Sequence, residues 1–148
     1  RFTESVLAGV GAANKKILFQ QLGLVAERTY GLGAKTVAER LAEREKLGST
    51  GFGGGIAIPH ARLDGIKRVK GIFVRLAQPV DFQAVDELPV DLVFALISPA
   101  SAGAAHLKAL ACVSRHLRDR QFAAKLRGAG SPDALFALLG GVDARDAA

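Results

Sequence analysis

The sequence predicts an α/β layered domain, a small mixed sheet sandwiched between helices. Three observations carry this. Helical periodicity fills the first and last thirds of the chain. The middle holds a glycine-rich stretch followed by short apolar runs bounded by prolines. One of those runs, Val90-Asp91-Leu92-Val93-Phe94-Ala95-Leu96-Ile97, is almost unbroken, as expected of a central strand covered on both faces. Helices, then strands, then helices, with no internal repeat and no linker, read as one domain over residues 1–148.

The composition narrows the function classes. Hydrophobic residues make up 49% of the 148 residues and charged residues 23%, which excludes a disordered chain. No apolar run approaches the roughly 18 residues that span a bilayer. Residues 1–12 lack the basic-then-apolar order of a signal peptide, so the expected location is cytoplasmic. The chain begins with Arg rather than Met, which reads as a missing natural start. The formal net charge of +6 comes from 20 basic and 14 acidic residues, interleaved as in Glu43-Arg44-Glu45-Lys46. With one Tyr and no Trp there is no stacking platform, and solvated helix faces explain the charge better than a nucleic-acid partner. Cys112, the single cysteine, lies in an apolar run and reads as a small core residue.

The first helix is expected over Ala12–Arg28, with Ile17, Leu18, Leu22 and Val25 at helical spacing. The second is expected over Ala34–Leu47, with Val37 and Leu41 inward and Gly48 as its stop. Residues 48–55 are too glycine-rich for a helix. Ile56-Ala57-Ile58 is a short strand halted by Pro59, and residues 70–76 form a second strand. Pro79 and Pro89 mark loops on either side of Val80-Asp81-Phe82. A helix over His106–Leu117 carries Leu107, Leu110, Ser114 and Leu117 along one stripe, and a short helix holds Phe122 and Leu126. The last helix starts on Ser131 as N-cap and Pro132 at its first position. Gly140-Gly141 is expected to end it, leaving 142–148 as a loose tail.

Chemistry concentrates on three histidines. His60 follows a strand and Pro59 in a loop, where a ring is exposed yet held. Neutral imidazole is a competent nucleophile near pH 7. Position alone nevertheless favours a surface histidine with no task. The glycines at 51–55 let backbone N–H groups approach a phosphate, but Ile56 stands where a P-loop needs Lys, and a tight loop feeding a strand is the simpler reading. His106 opens a helix, where the dipole favours the neutral ring and anions are welcome. An ordinary polar helix start explains it equally well. His116 is about 80° from His106 on the helical wheel and reads as surface. Arg44 presents a planar fork to phosphate oxygens, though on its own it reads as a solvent-facing residue in a charged run. Metal is not expected, since no His-x-x-x-His pair or convergent ligand set is visible. The serines lack a nucleophile-elbow context.

Several segments together carry a family signature: Glu43-Arg44-Glu45-Lys46-Leu47-Gly48-Ser49-Thr50-Gly51, Ile56-Ala57-Ile58-Pro59-His60, Gln83-Ala84-Val85-Asp86, Pro89 to Leu96, and His106-Leu107-x-x-Leu110. In combination they resemble the enzyme IIA domains of the bacterial phosphotransferase system, in the mannitol/fructose/nitrogen-regulatory class. The run from Arg44 to Gly51 is most similar to the nitrogen-regulatory type. The resemblance spans roughly Ala34 to Leu139; the first 30 residues match only in being helical, so the family's N-terminal strand is expected to be truncated or altered. The resemblance implies a phosphotransferase without cofactor, in which His60 accepts a phosphoryl group on Nε2 from the phosphohistidine of HPr or its nitrogen-branch counterpart. It implies Arg44 at the phosphoryl oxygens and His106 as a hydrogen-bond donor. It leaves three roles open: regulation of target proteins, transfer to a fructose- or mannitol-type IIB domain, or an interaction module without transfer. Ala61 departs from the glycine that many members carry there, which restricts the backbone angles available after His60.

Overall fold

The computed structural model describes residues 3–147, with side chains described through Val142. Its centre is the strand the apolar run announced, β6 (Val90–Pro99). In chain order the elements before it are β1 (Thr3–Val10), α1 (Lys15–Tyr30), α2 (Ala34–Lys46), β2 (Gly51–Gly53), β3 (Ile56–Ala57), β4 (His60–Leu63) and β5 (Lys70–Val80). Those after it are α3 (Gly103–Leu117), α4 (Arg120–Gly128) and α5 (Pro132–Ala147). The sheet runs β1-β5-β6-β3-β2, with β4 also beside β6. β5 is antiparallel to β6 and β2 to β3, while β1 is parallel to β5 and β3 and β4 are parallel to β6, so the sheet is mixed as expected.

Strand alternation turns the apolar run into two cores. Val93, Ala95 and Ile97 face one side with Ile72 and Val74 of β5, under Leu18, Leu22, Val37 and Leu41 of α1 and α2. Leu92, Phe94 and Leu96 face the other with Phe73, under Val113, Leu117, Leu126, Leu135 and Leu139 of α3, α4 and α5. This is the three-layer arrangement the element order implied. Cys112 is in the second core, as expected.

Several sequence expectations are corrected. The N-terminal strand is present: β1 pairs in parallel with β5. It lies at the edge of the sheet and is only partly covered, so it lacks the apolar run that revealed β6. The first helix starts at Lys15, because the Asn14 side chain accepts from Ile17 N–H and caps it. Ile17 faces outward. Pro79 lies inside β5, not in a loop. It occupies an exposed, irregular stretch between the Arg75–Leu92 and Val80–Val90 pairs, where no ladder donor is needed from it. α3 starts three residues earlier than expected and buries His106, Ala109, Cys112, Val113 and Leu117, leaving Leu107 exposed. The last helix does not stop at Gly140-Gly141 but continues to Ala147. Two helical glycines cost about 1 kcal/mol each against alanine, and burial of Val142 together with a Cys112 Sγ hydrogen bond to its carbonyl outweighs that local preference. Ser131 does cap this helix, its Oγ accepting from Ala134 N–H at 3.1 Å.

Candidate functional site

β3 and β4 are two pieces of one interrupted strand. Ile56 and Ala57 lie opposite Leu92 and Val93, and after a two-residue break His60 and Ala61 resume in the same register opposite Leu96 and Ile97. Pro59 has no N–H to give to a ladder, but its carbonyl still accepts from Leu96 N–H at 2.9 Å. At the same break, Ile58 sends its N–H to Thr50 and turns its carbonyl to the His60 ring, 2.9 Å from Nδ1. His60 is therefore the first residue of a strand beside the sheet's centre, not a loop residue. The correction comes from a pairing partner, β6, that lies far away in sequence.

The Ile58 carbonyl can only accept, so His60 Nδ1 carries the proton and Nε2 holds the lone pair. Arg44 reaches that lone pair from the last turn of α2: its Nε–H donates to His60 Nε2 at 3.2 Å, and its Nη1 donates to Gly48 O at 2.9 Å. His106 stands opposite, its ring centroid 5.4 Å from that of His60 and its plane tilted by 51°. His60, Arg44 and His106 share one open depression of about 480 Å³, rimmed by Arg40, Arg62 and Leu107. The three residues singled out in the sequence thus meet in space.

Both rings are held neutral. Burial is the main cause for His60, whose pKa is lowered; Arg44 and Arg62 push the same way, while the Ile58 carbonyl and Glu45 oppose them. His106 is pushed down to about 4, by burial first and then by His60 and Arg62. The expected neutrality of His106 holds, but its cause is burial more than a helix dipole. Nor does His106 open the helix: it sits in the fourth helical position after Ala102, and its own N–H is already bonded to Ala102 O.

The glycine segment does not contribute to the depression. Gly51 and Gly54 give their N–H groups to Ser49 Oγ and Asp86, and residues 53 and 54 line a different cleft. His116 is also not a plain surface residue: it is half-buried, with Nδ1 against Cys112 O and Nε2 lacking a partner among the described residues.

Three contributors escaped the sequence reading. Arg62 follows His60 by two in the same strand, and strand periodicity would have found it on the same side. Glu45 is buried, takes both the N–H and the hydroxyl of Thr50 and pairs with Lys15 Nζ at 2.9 Å, fixing the turn between α2 and β2. Ser98 places its Oγ 2.7 Å from His106 Nδ1. No local pattern announces Glu45 or Ser98, because the turns after each of them, and burial, decide which side chain it meets.

A mixed sheet between two helical layers, with a depression where an unprotonated imidazole nitrogen faces an arginine and a second histidine, defines an α/β domain of the mannitol-type enzyme IIA architecture. The chain belongs to the family described as phosphoenolpyruvate-dependent sugar phosphotransferase system, EIIA 2, whose model matches residues 2–141. A nitrogen regulatory protein of Bradyrhizobium diazoefficiens is 43% identical over 136 residues, covering 92% of this chain and 89% of that protein. The crystal structure of nitrogen regulatory protein IIA-Ntr from Neisseria meningitidis superposes with a TM-score of 0.83 at 37% identity, covering 90% of this chain and 96% of that one. Enzyme IIA of the Escherichia coli mannitol system, solved in complex with phosphorylated IIB, shares the fold at a TM-score of 0.78 and 21% identity, covering 95% of this chain and 98% of that one. Among the described residues, no helix is long and apolar enough to cross a membrane.

Proposed function

We propose that this chain is a cytoplasmic histidine phosphocarrier of the nitrogen-regulatory type, in which His60 Nε2 accepts a phosphoryl group from the phosphohistidine of HPr or its nitrogen-branch counterpart. The observation that carries the reading is the Nδ1 contact to Ile58 O, which leaves a lone pair on Nε2 in the depression. Membership of the EIIA 2 family and similarity to nitrogen regulatory proteins support it.

In the transfer, the bond between phosphorus and the donor's ring nitrogen breaks as the bond to His60 Nε2 forms. The donor ring regains its lone pair, and His60 gains positive character that the Ile58 carbonyl stabilises through Nδ1–H. The transferring group spreads negative charge over its equatorial oxygens, so the protein's task is positioning and electrostatic stabilisation. Arg44 serves two states. Before transfer its Nε–H covers the lone pair; during transfer it gives way and turns to the phosphoryl oxygens. His106, neutral and 5.4 Å away ring to ring, supplies a second donor. No metal or cofactor is required by this step.

Phosphorylation then alters how the surface around His60 binds target proteins, which is the regulatory role. The test is incubation with phosphorylated carrier, followed by mass measurement and acid treatment. One acid-labile phosphoryl group is expected on the wild-type chain and none on His60→Ala. Labelling that persists in the variant would refute the assignment, and a wild-type chain that takes no label would leave an interaction module. Rapid onward transfer to a fructose- or mannitol-type IIB domain would favour sugar transport over regulation.

A further inference from the structure

We propose that Ser98 is a positioning residue that locks His106 in the tautomer with its proton on Nε2, so that this ring always offers a donor to the group held at His60. The tautomer follows from the fold alone; its effect on transfer rests on the phosphocarrier reading above.

Ser98 lies on β6 opposite Arg62, two residues beyond Leu96. Strand alternation puts its side chain on the face of Leu92, Phe94 and Leu96, the row packed against α3. A hydroxyl thus continues a row of large apolar side chains, and it is fully buried at 0% exposure. Its Oγ lies 2.7 Å from His106 Nδ1, one helical turn into α3. A buried hydroxyl proton requires an acceptor. Among the described residues, Ser98 Oγ makes its hydrogen bond with His106 Nδ1, so the hydroxyl donates and Nδ1 accepts. A ring that accepts at Nδ1 and is neutral carries its proton on Nε2.

The two histidines then hold opposite tautomers, each fixed by a different oxygen. The Ile58 carbonyl compels a proton on His60 Nδ1, which bares its Nε2. The Ser98 hydroxyl delivers a proton toward His106 Nδ1, which reserves the proton on its Nε2. One ring is set to receive phosphorus and the other to bond an oxygen of the same group. Without Ser98, His106 would be free to protonate Nδ1 and present a second lone pair, which repels a phosphoryl oxygen.

The experiment is long-range ¹H–¹⁵N NMR on ¹⁵N-histidine-labelled protein at neutral pH, paired with rapid-quench transfer from phosphorylated carrier. Wild-type His106 should show Nε2 protonated and Nδ1 unprotonated, and Ser98→Ala should mix the tautomers while the remaining spectrum stays folded. Ser98→Ala should also slow transfer about ten-fold, the scale of one lost orienting hydrogen bond, and should add no slowing to His106→Ala. An Nδ1-protonated His106 in the wild type overturns the proposal, as does unchanged transfer in Ser98→Ala or a slowing that persists in the His106→Ala background. If the wild-type chain takes no phosphoryl group, the carrier reading falls, and the spectrum still decides the tautomer.

Discussion

Two basic depressions among the described residues invite comparison, and the larger is the less promising. The cleft beside the glycine turn measures about 730 Å³ and is lined by Arg118, Arg120 and Arg127, yet several of its polar groups are already committed. Arg127 donates twice to the Asp91 carboxylate and once to Gly54 O. Arg118 lies over the Phe52 ring, and Gly54 N–H goes to Asp86. Gly55 turns there with φ +79°, and a Cβ on it would come 2.7 Å from Arg127 and 2.9 Å from Asp91, so this glycine serves close packing. The His60 depression, about 480 Å³, holds a nitrogen lone pair met by a single long side chain, Arg44. Reactivity depends on which groups remain available, and neither the number of cations nor the volume reports that.

Substitutions in the two depressions should separate them sharply. Arg44→Ala should slow transfer from phosphorylated carrier about a hundred-fold, the cost of removing one donor from a charge-stabilising site, with unchanged thermal unfolding; transfer at the wild-type rate would remove Arg44 from the oxygens. A smaller effect is expected with pH. The folded-state pKa of His106, about 4, lies below its unfolded value near 6.5, so the unfolded chain binds the proton first as pH falls. The corresponding stability is fully present above pH 6.5 and is lost progressively down to about 4. His106→Asn should flatten that part of the stability profile in urea titrations at stepped pH, and a profile identical to wild type would contradict the buried neutral ring. Arg127→Ala should cost the least, about 1 kcal/mol of stability for a partly exposed bidentate pair. Its transfer rate should stay at the wild-type value, and a slowed rate would mean that the larger cleft takes part.

How much was legible from sequence follows from how local each signal is. The β6 run, the α2 stripe and the Ser131-Pro132 start of α5 are written in neighbouring residues, and all three stand in the structure. β1 escaped because an edge strand at partial burial shows little patterning. The end of α5 escaped because Val142 is held by Cys112, thirty residues away. At the site, the family signature singles out His60, Arg44 and His106, since position alone favours a histidine without a task. Their environment was not found. The Ile58 carbonyl, the Glu45–Thr50 contacts and the Ser98 hydroxyl lie within eight residues of their partners, but which side chains meet depends on the geometry of the turns between them and on burial, which residue types and spacing do not specify. The glycine segment shows the converse: its local chemistry suits an anion, but the fold spends it on Asp86 and the Arg127 contacts, in keeping with the tight loop that was its simpler reading.

The interrupted strand has a consequence for any encounter at this surface. His60 is anchored to β6 on one side and by its own ring to Ile58 on the other, so its Nε2 inherits the stiffness of the sheet's middle. A fixed receiver leaves the search for alignment to the visitor. Under the proposed phosphocarrier function, an incoming protein would have to bring its phosphorus onto the axis of one nitrogen by rotating as a whole, and partners would be discriminated by how they approach as much as by how tightly they hold.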